Sequence, residues 1–264
     1  MVVVITGASS GIGRAVAERY VRQGAIVAAV TRRGQPPTSL SGSGKLISFR
    51  GNVTDRRVMA DIVKQVEQTL GPVDLAIACA GIAEEQATPD LDLEALDQAL
   101  ATNVCGAFNL LAPAAARMRS RGSGHLVAIS SLAAELILPQ LTGYCISKAA
   151  LNSGMQGLSL LLRGTGVSTT TICPGFIATG MTAGRVRPGR CMDLDQAVDR
   201  ILRAIQRRQR ICRFPVWQYQ LLRLLRVMPA RVQERVLESA DNLLFDRARR
   251  LGTSTEGQSH ATFQ

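Results

Sequence analysis

Aromatic side chains are scarce in this sequence, at 4% of 264 residues, and histidine is scarcer, with only His125 and His260. Without clustered Cys or carboxylates beside them, these two supply neither a metal site nor the parts of a serine-hydrolase triad. The six cysteines, at 79, 105, 145, 173, 191 and 212, never form a Cys-x-x-Cys pair. They read as buried thiols in a reducing compartment. No apolar run reaches the roughly eighteen residues that a membrane-spanning helix needs. The first apolar run starts at Val2, which leaves no room for a secretory leader, so a cytoplasmic protein is expected.

What the chain does have is 46% apolar residues and 24 glycines, a composition suited to one substantial core with close helix-to-sheet packing. Short β-branched or alanine-rich runs alternate with longer helical patterns, the mark of repeated βαβ units and a parallel sheet. Strands are expected at Val2–Thr6, Ala25–Thr31, Lys45–Arg50, Val73–Cys79, Gly124–Ser130 and Val167–Cys173, with a seventh near Arg210–Phe214. The helical patterns cover Gly11–Gln23, Asp55–Leu70, Asn103–Arg121, Tyr144–Arg163 and Leu194–Arg207. The expectation is a single α/β domain over 1–250, a doubly wound fold with a central parallel sheet flanked by helices, followed by a polar tail over 251–264 that is expected to be disordered.

The formal net charge is +11, carried by 28 Arg and only 3 Lys. Residues 185–250 hold 16 Arg against 7 Asp plus Glu. Such a balance fits an anionic lipid, an anionic substrate or simply a solvated helical face. Nucleic acid is not the expected partner, because no nucleic-acid motif or interleaved aromatic series accompanies the arginines.

The first chemical motif is Thr6-Gly7-Ala8-Ser9-Ser10-Gly11-Ile12-Gly13, between the first strand and the first helix. Glycines let backbone approach a pyrophosphate, and the helix N-terminus offers it unpaired N–H groups and partial positive charge. The second strand ends in Thr31-Arg32-Arg33, where an acidic side chain would accept from the ribose hydroxyls of NAD. Guanidinium groups match a 2′-phosphate instead, in charge and in fork geometry, so NADP(H) is the expected cofactor. The bland alternative is two surface arginines on a loop.

Tyr144 and Lys148 are four residues apart and so share a helix face. The lysine ammonium can stabilise a developing tyrosinate, and an adjacent nicotinamide cation can add to the effect, lowering a phenol pKa that ordinarily lies near ten and making Tyr144 a usable acid/base. Ser131, thirteen residues earlier at a strand end, is placed to hydrogen-bond a substrate carbonyl and steady its oxyanion.

The spacing Gly-x-x-x-Gly-x-Gly, followed in order by Asn103, Ser131, Tyr144 and Lys148, resembles the short-chain dehydrogenases/reductases over roughly residues 1–180. That resemblance implies a Rossmann-type fold. It implies cofactor contacts from Gly7, Ser9, Ser10, Gly11, Ile12 and Gly13, from Asn52 and Val53 at the place of the family's Asp-Val pair, and from Asn103, Tyr144 and Lys148. Ala78-Cys79-Ala80-Gly81 resembles the family's Asn-Asn-Ala-Gly segment with both amides lost. Ala80 and Gly81 would still approach the ribose through backbone, while the bracing of that turn is left open. By the same resemblance Asn103 would kink its helix and hold a water that relays protons to Lys148. Pro174, Gly175, Ile177 and Thr179, within Pro174-Gly175-Phe176-Ile177-Ala178-Thr179, would lie against the nicotinamide carboxamide and phosphates. Homo-oligomerisation through the helices of Asn103 and Tyr144 would be usual for the family.

After Thr179 the resemblance weakens. Residues 180–192 look like a lid over a substrate pocket. Then Trp217, Leu221, Leu224, Leu225 and Met228 form an apolar stripe flanked by Arg223 and Arg226. This extended, basic C-terminal helical segment is similar to those of short-chain reductases acting on lipid-like ketones. It either walls an apolar pocket, rests peripherally on an anionic membrane, or packs as ordinary core or subunit contact. A second helix is expected over Ala230–Arg249.

Two functions follow. One is NADP(H)-dependent interconversion of a carbonyl and a secondary alcohol, in the direction of reduction, on a hydrophobic 3-oxoacyl, steroid, retinoid or ketosphinganine-like ketone. The other is a non-catalytic NADP(H)-binding scaffold on the same fold. The intact Ser131, Tyr144 and Lys148 set favours the enzyme.

Overall fold

The computed structural model describes residues 1–32, 43–84, 90–135, 138–187 and 189–244, with the side chains of 238–244 outside that description. Arg33, the last residues of the helix expected over Ala230–Arg249, and the tail expected over 251–264 lie outside the described residues.

Seven parallel strands form one sheet in the order β3-β2-β1-β4-β5-β6-β7. They are β1 (Val2–Thr6), β2 (Ile26–Thr31), β3 (Lys45–Arg50), β4 (Val73–Ala78), β5 (Gly124–Ile129), β6 (Val167–Pro174) and β7 (Ile211–Phe214). The doubly wound parallel sheet is as expected, with Ala25, Cys79 and Ser130 falling just outside the strands. Because side chains alternate along a strand, a sheet covered on both faces needs apolar residues in both registers. β1 shows this: Val2 and Val4 join a core that includes Leu110, Met118 and Leu151, while Val3 and Ile5 join a second core that includes Val16, Ala17 and Ile201.

The helices are α1 (Gly11–Arg22), α2 (Arg56–Leu70), α3 (Leu93–Ala99), α4 (Gly106–Ser120), α5 (Thr142–Leu161), α6 (Leu194–Gln206), α7 (Val216–Arg226) and α8 (Ala230–Leu244). The first core is covered by α2, α4 and α5, and the second by α1 and α6. Three helices start on aspartate caps, which satisfy N–H groups that the helix itself cannot. Asp55 accepts from Arg57 N and Val58 N, Asp92 from Ala95 N, and Asp193 from Gln196 N.

The helix expected to begin at Asn103 begins ten residues earlier. α3, a π-helical stretch over Leu100–Cys105 and α4 run as one 28-residue helix from Leu93 to Ser120. Asparagine is a good helix cap, and Asn103 reads as one in the sequence; the true cap is Asp92. This helix is long and apolar enough to cross a membrane, although the sequence contains no uninterrupted apolar run of that length. Half of its apolar window is buried within the fold, with α4 packed on β4, β5 and α2.

Candidate active site

The strand order turns outward in both directions from the β1–β4 pair, and a parallel sheet opens a crevice at the carboxyl ends of its strands at such a point. Here the crevice is a cleft of about 980 Å³ lined by the glycine loop, the ends of β2, β4, β5 and β6, and the C-terminal helices.

The glycine loop is built by close approach. A Cβ on Gly7, whose φ is +70°, would stand 2.8 Å from Ala80 Cα and N, and one on Gly13 would stand 2.3 Å from the Gly7 carbonyl oxygen. Only glycine lets β1 turn into α1 this tightly against the end of β4. The turn after β4, which has lost the family's two amides, is braced from β1. Thr6 Oγ1 accepts from Cys79 N at 3.1 Å and from Ala80 N at 3.2 Å. Thr6 was visible in the sequence only as the last strand residue; its partners are more than seventy residues away.

Ser10 caps α1 without a side-chain hydrogen bond, no acidic residue lies in the first turn, and Ser9 and Ser10 are exposed on the cleft. At the end of β2, the Thr31 hydroxyl is buried and has no hydrogen-bond partner among the described residues, while Arg32 is exposed on the cleft and forms no ion pair with any described residue. Asn52 spends its carbonyl on Thr54 N, which leaves its NH₂ to donate, and Val53 is buried with its carbonyl held by Asn109 Nδ2 at 2.8 Å.

Ser131, Tyr144 and Lys148 converge on the same cleft from the end of β5 and from α5. Ser131 Oγ accepts from Ala133 N at 3.0 Å and donates to Pro174 O at 3.5 Å. Lys148, on the same face of α5, has its Nζ 5.6 Å from the Tyr144 ring centre and donates to Ile129 O at 3.0 Å. Burial drives the Tyr144 pKa up to about 12, against a smaller lowering by Ser131. The protein's own groups therefore do not give the expected lowering: without the nicotinamide cation, desolvation of the phenolate outweighs the favourable contacts. Burial also brings Lys148 down to about 8.

Asn103 is buried in the π turn, with its side chain fully engaged. Oδ1 accepts from Ile82 N at 2.8 Å, and Nδ2 donates to Ile82 O and to Ser147 Oγ, each at 2.9 Å. Ser147 Oγ in turn reaches the Tyr144 carbonyl at 2.7 Å. The side chain clamps three segments together: the strap after β4, the long helix and the turn of α5 that carries Tyr144. A Cβ on Gly81 would stand 3.2 Å from Asn103 Oδ1 and 3.5 Å from Lys148 Nζ, so the glycine there keeps space open beside the ammonium.

Pro174, Gly175, Ile177 and Thr179 also line the cleft. Ile177 bridges to Met192, and Thr182 Oγ1 receives Thr179 N at 3.1 Å, so the 180–192 loop is pinned at its base. Arg185 reaches across to Ala83 O at 2.6 Å. The far wall is apolar: Leu138, Leu141, Met181, Val186, Trp217, Leu221, Leu222 and Leu225 among others. The expectation of buried cysteines holds only for Cys145 and Cys173. Cys105 is exposed, and Cys79, Cys191 and Cys212 are half-buried; all six are free. Cys105 falls on the outward side of the π turn, which its apolar neighbours in sequence did not reveal.

Residues 1–188 match the short chain dehydrogenase family, and the chain belongs to it. A Myxococcus xanthus protein described as an uncharacterized oxidoreductase is 33% identical over 86% of this chain and 92% of its own length. A glycine betaine reductase of Emericella nidulans is 39% identical over 68% of this chain, but the chain spans only 15% of that much longer protein. Among solved structures, a short-chain dehydrogenase/reductase from Mycobacterium marinum shares 27% identity and a TM-score of 0.71, covering 77% of this chain and 87% of its own. A short chain dehydrogenase from Burkholderia cenocepacia, solved in complex with NADP, superposes at a TM-score of 0.78 over 89% of this chain and 97% of its own at 22% identity, a likeness of fold. The protein is therefore an oxidoreductase of a family that binds a nicotinamide cofactor and acts on small molecules. The glycine cradle, the uncapped N-terminus of α1 and the orphaned Thr31 hydroxyl fit that cofactor.

Proposed function

We propose that this protein is an NADP(H)-dependent carbonyl reductase of hydrophobic, lipid-like ketones. The observation that carries the reading is the meeting of Ser131, Tyr144 and Lys148 between the glycine cradle and an apolar wall in one cleft. The choice of NADP(H) over NAD(H) rests on Arg32, a cation with no ion pair among the described residues at the point where an acidic side chain would select NAD. The NADP found in the Burkholderia protein supports it. The ketone class rests on the wall of Leu138, Leu141, Trp217, Leu221, Leu222 and Leu225, which offers an apolar substrate shape-matched burial and few polar partners. Six free thiols support a reducing, cytoplasmic setting. The exposed Leu160 and Leu161 at the end of α5 support self-association along the α4 and α5 faces.

The glycine loop, Ser9, Ser10 and Arg32 would hold the cofactor phosphates, and Lys148 its ribose, leaving the nicotinamide to supply the hydride. Ser131 donates to the substrate oxygen and orients it. Tyr144, whose phenol keeps its proton at neutral pH, gives that proton to the oxygen. Lys148 holds positive charge beside the phenolate left behind. Asn103 and Ser147 fix the turn on which Tyr144 sits.

Oxidation of NADPH and NADH by purified protein tests this, against medium-chain 3-oxoacyl thioesters, ketosteroids, retinal, long-chain ketones and small aldehydes. Turnover with NADPH on the apolar ketones, absent in Tyr144→Phe, is the expected result. NADPH binding without turnover on any of them points to the scaffold function, and preference for NADH overturns the reading of Arg32.

A further inference from the structure

The apolar stripe of α7 faces away from the core. Of its members only Leu225 is buried; Trp217 is 65% exposed, Leu221 49% and Leu224 54%, and Val216 and Val227 are open as well. At about 3.6 residues per turn these five exposed residues fall on one side of the helix. One border of this side carries the exposed Arg223. At the other border the stripe runs into the cleft, since Trp217 and Leu221 are both surface residues and cleft lining. A helix of this kind is amphipathic in the inverse sense: its apolar face is offered to the surroundings, and the opposite face is tied down through Arg226 to Glu135 at 2.9 Å.

Charge decides what covers it. Residues 200–233 hold nine Arg and no Asp, Glu or Lys, and of the nine Arg213 and Arg226 pair with Glu135. A second copy seated on this face would bring the same patch against itself, arginines included, since a two-fold contact is self-complementary only if the patch is. An anionic lipid surface meets both features at once: acyl chains take the apolar side chains, and headgroups meet the guanidinium groups.

We propose that α7 lies in the interface of an anionic lipid bilayer, with Val216, Trp217, Leu221, Leu224 and Val227 entering the acyl layer and Arg223, on the border of that face, meeting headgroups. Docked in this way, the protein opens its cleft toward the hydrocarbon at Trp217 and Leu221. Substrate and product of low water solubility then exchange with the bilayer directly. Docking itself stands without the catalytic reading; the route for substrate rests on it.

Flotation of the full chain with vesicles of phosphatidylcholine, with and without phosphatidylglycerol, tests the docking without any turnover. Trp217 is the sole tryptophan, so its emission reports the face specifically. Flotation with the anionic vesicles is expected, together with a blue shift and quenching of Trp217 by brominated acyl chains, and weakening as salt is raised. The double variant Leu224→Glu, Val227→Glu, which leaves the cleft lining untouched, is expected to lose binding by at least about tenfold. Its NADPH binding should be unchanged, which shows that it folds. Absence of flotation with anionic vesicles, equal binding to neutral ones, or unaltered binding by the double variant overturns the proposal. So does burial of Trp217 by self-association in solution that vesicles do not reverse. A protein that docks yet reduces no ketone keeps the docking and refutes the proposed activity.

Discussion

Lys148 is a costly residue for the fold. Its ammonium is buried and, among the described residues, donates to one acceptor, Ile129 O. Desolvation holds its pKa near 8 rather than 10.5, so the folded protein carries the charge at neutral pH against its burial. Lys148→Met should therefore abolish reduction and yet raise stability by roughly 1–3 kcal/mol, read as a higher midpoint in urea at pH 7. A lower midpoint would mean that the ammonium is well paired. The same shift gives a pH dependence: reduction needs Tyr144 protonated and Lys148 charged. kcat/KM should then fall as pH rises through about 8, while Tyr144 stays protonated up to about 12. Arg32 yields a separate expectation. Replacing a guanidinium that meets a 2′-phosphate removes a charge-assisted contact, so Arg32→Ser should raise KM for NADPH by about ten- to a hundredfold and leave that for NADH nearly unchanged. Equal effects on both cofactors would place Arg32 elsewhere. At this scale the sequence was informative wherever chemistry fixes residue type at a fixed spacing, as for Tyr144 and Lys148. It was silent on Thr6 and Ser147, whose roles depend on partners brought together by the fold.

Among the elements, the loop after β5, β7 and α7 act together through Glu135. Its carboxylate, only 12% exposed, takes both Arg213 at 2.9 Å and Arg226 at 2.9 Å, and Arg213 also stacks over Tyr219 at 4.6 Å. This ties the segment that follows Ser131 to the helix that walls the cleft. Glu135→Gln leaves both guanidinium groups without their counter-charge and should cost about 1–2 kcal/mol. The site's own hydrogen bonds remain, so KM for an apolar ketone should rise severalfold with kcat little changed; a fall in kcat alone would show that the loop, not the wall, feels the loss. The strands were legible because their apolar runs are short and bounded. Helix α3 was not, because Asp92 and Asn103 are both plausible caps and only the completed hydrogen bonds of Asn103 reveal it as an interior residue. The stripe of α7 was legible as a stripe; periodicity reports that apolar residues share a face, and says nothing of which way the face points.

Across the whole molecule, the excess of positive charge makes acid the weak side of the stability profile. Protonating carboxylates raises a charge that already stands at +11. Glu67, between Arg117 at 2.9 Å and Arg121 at 2.8 Å, is held below its usual carboxylate range, and these contacts join α2 to α4. Its contribution is present above the unfolded pKa and is lost as pH falls through the folded one. His125 acts earlier in the same direction. It lies in β5 within the sheet, its Nε2 2.8 Å from Thr170 Oγ1 of β6, and burial lowers its pKa from 6.5 to about 4. Between those values the unfolded chain takes up a proton that the folded one refuses, so stability declines as pH falls from about 6.5 to about 4, by up to about 3 kcal/mol. Urea midpoints measured across that window should fall steadily for the native protein. In His125→Gln, whose amide can still meet Thr170, the decline should flatten until the carboxylates titrate. A slope unchanged by the substitution would assign the whole acid limb to Glu67 and the growing net charge, and would mean that the sheet opens to solvent around His125 before it is protonated.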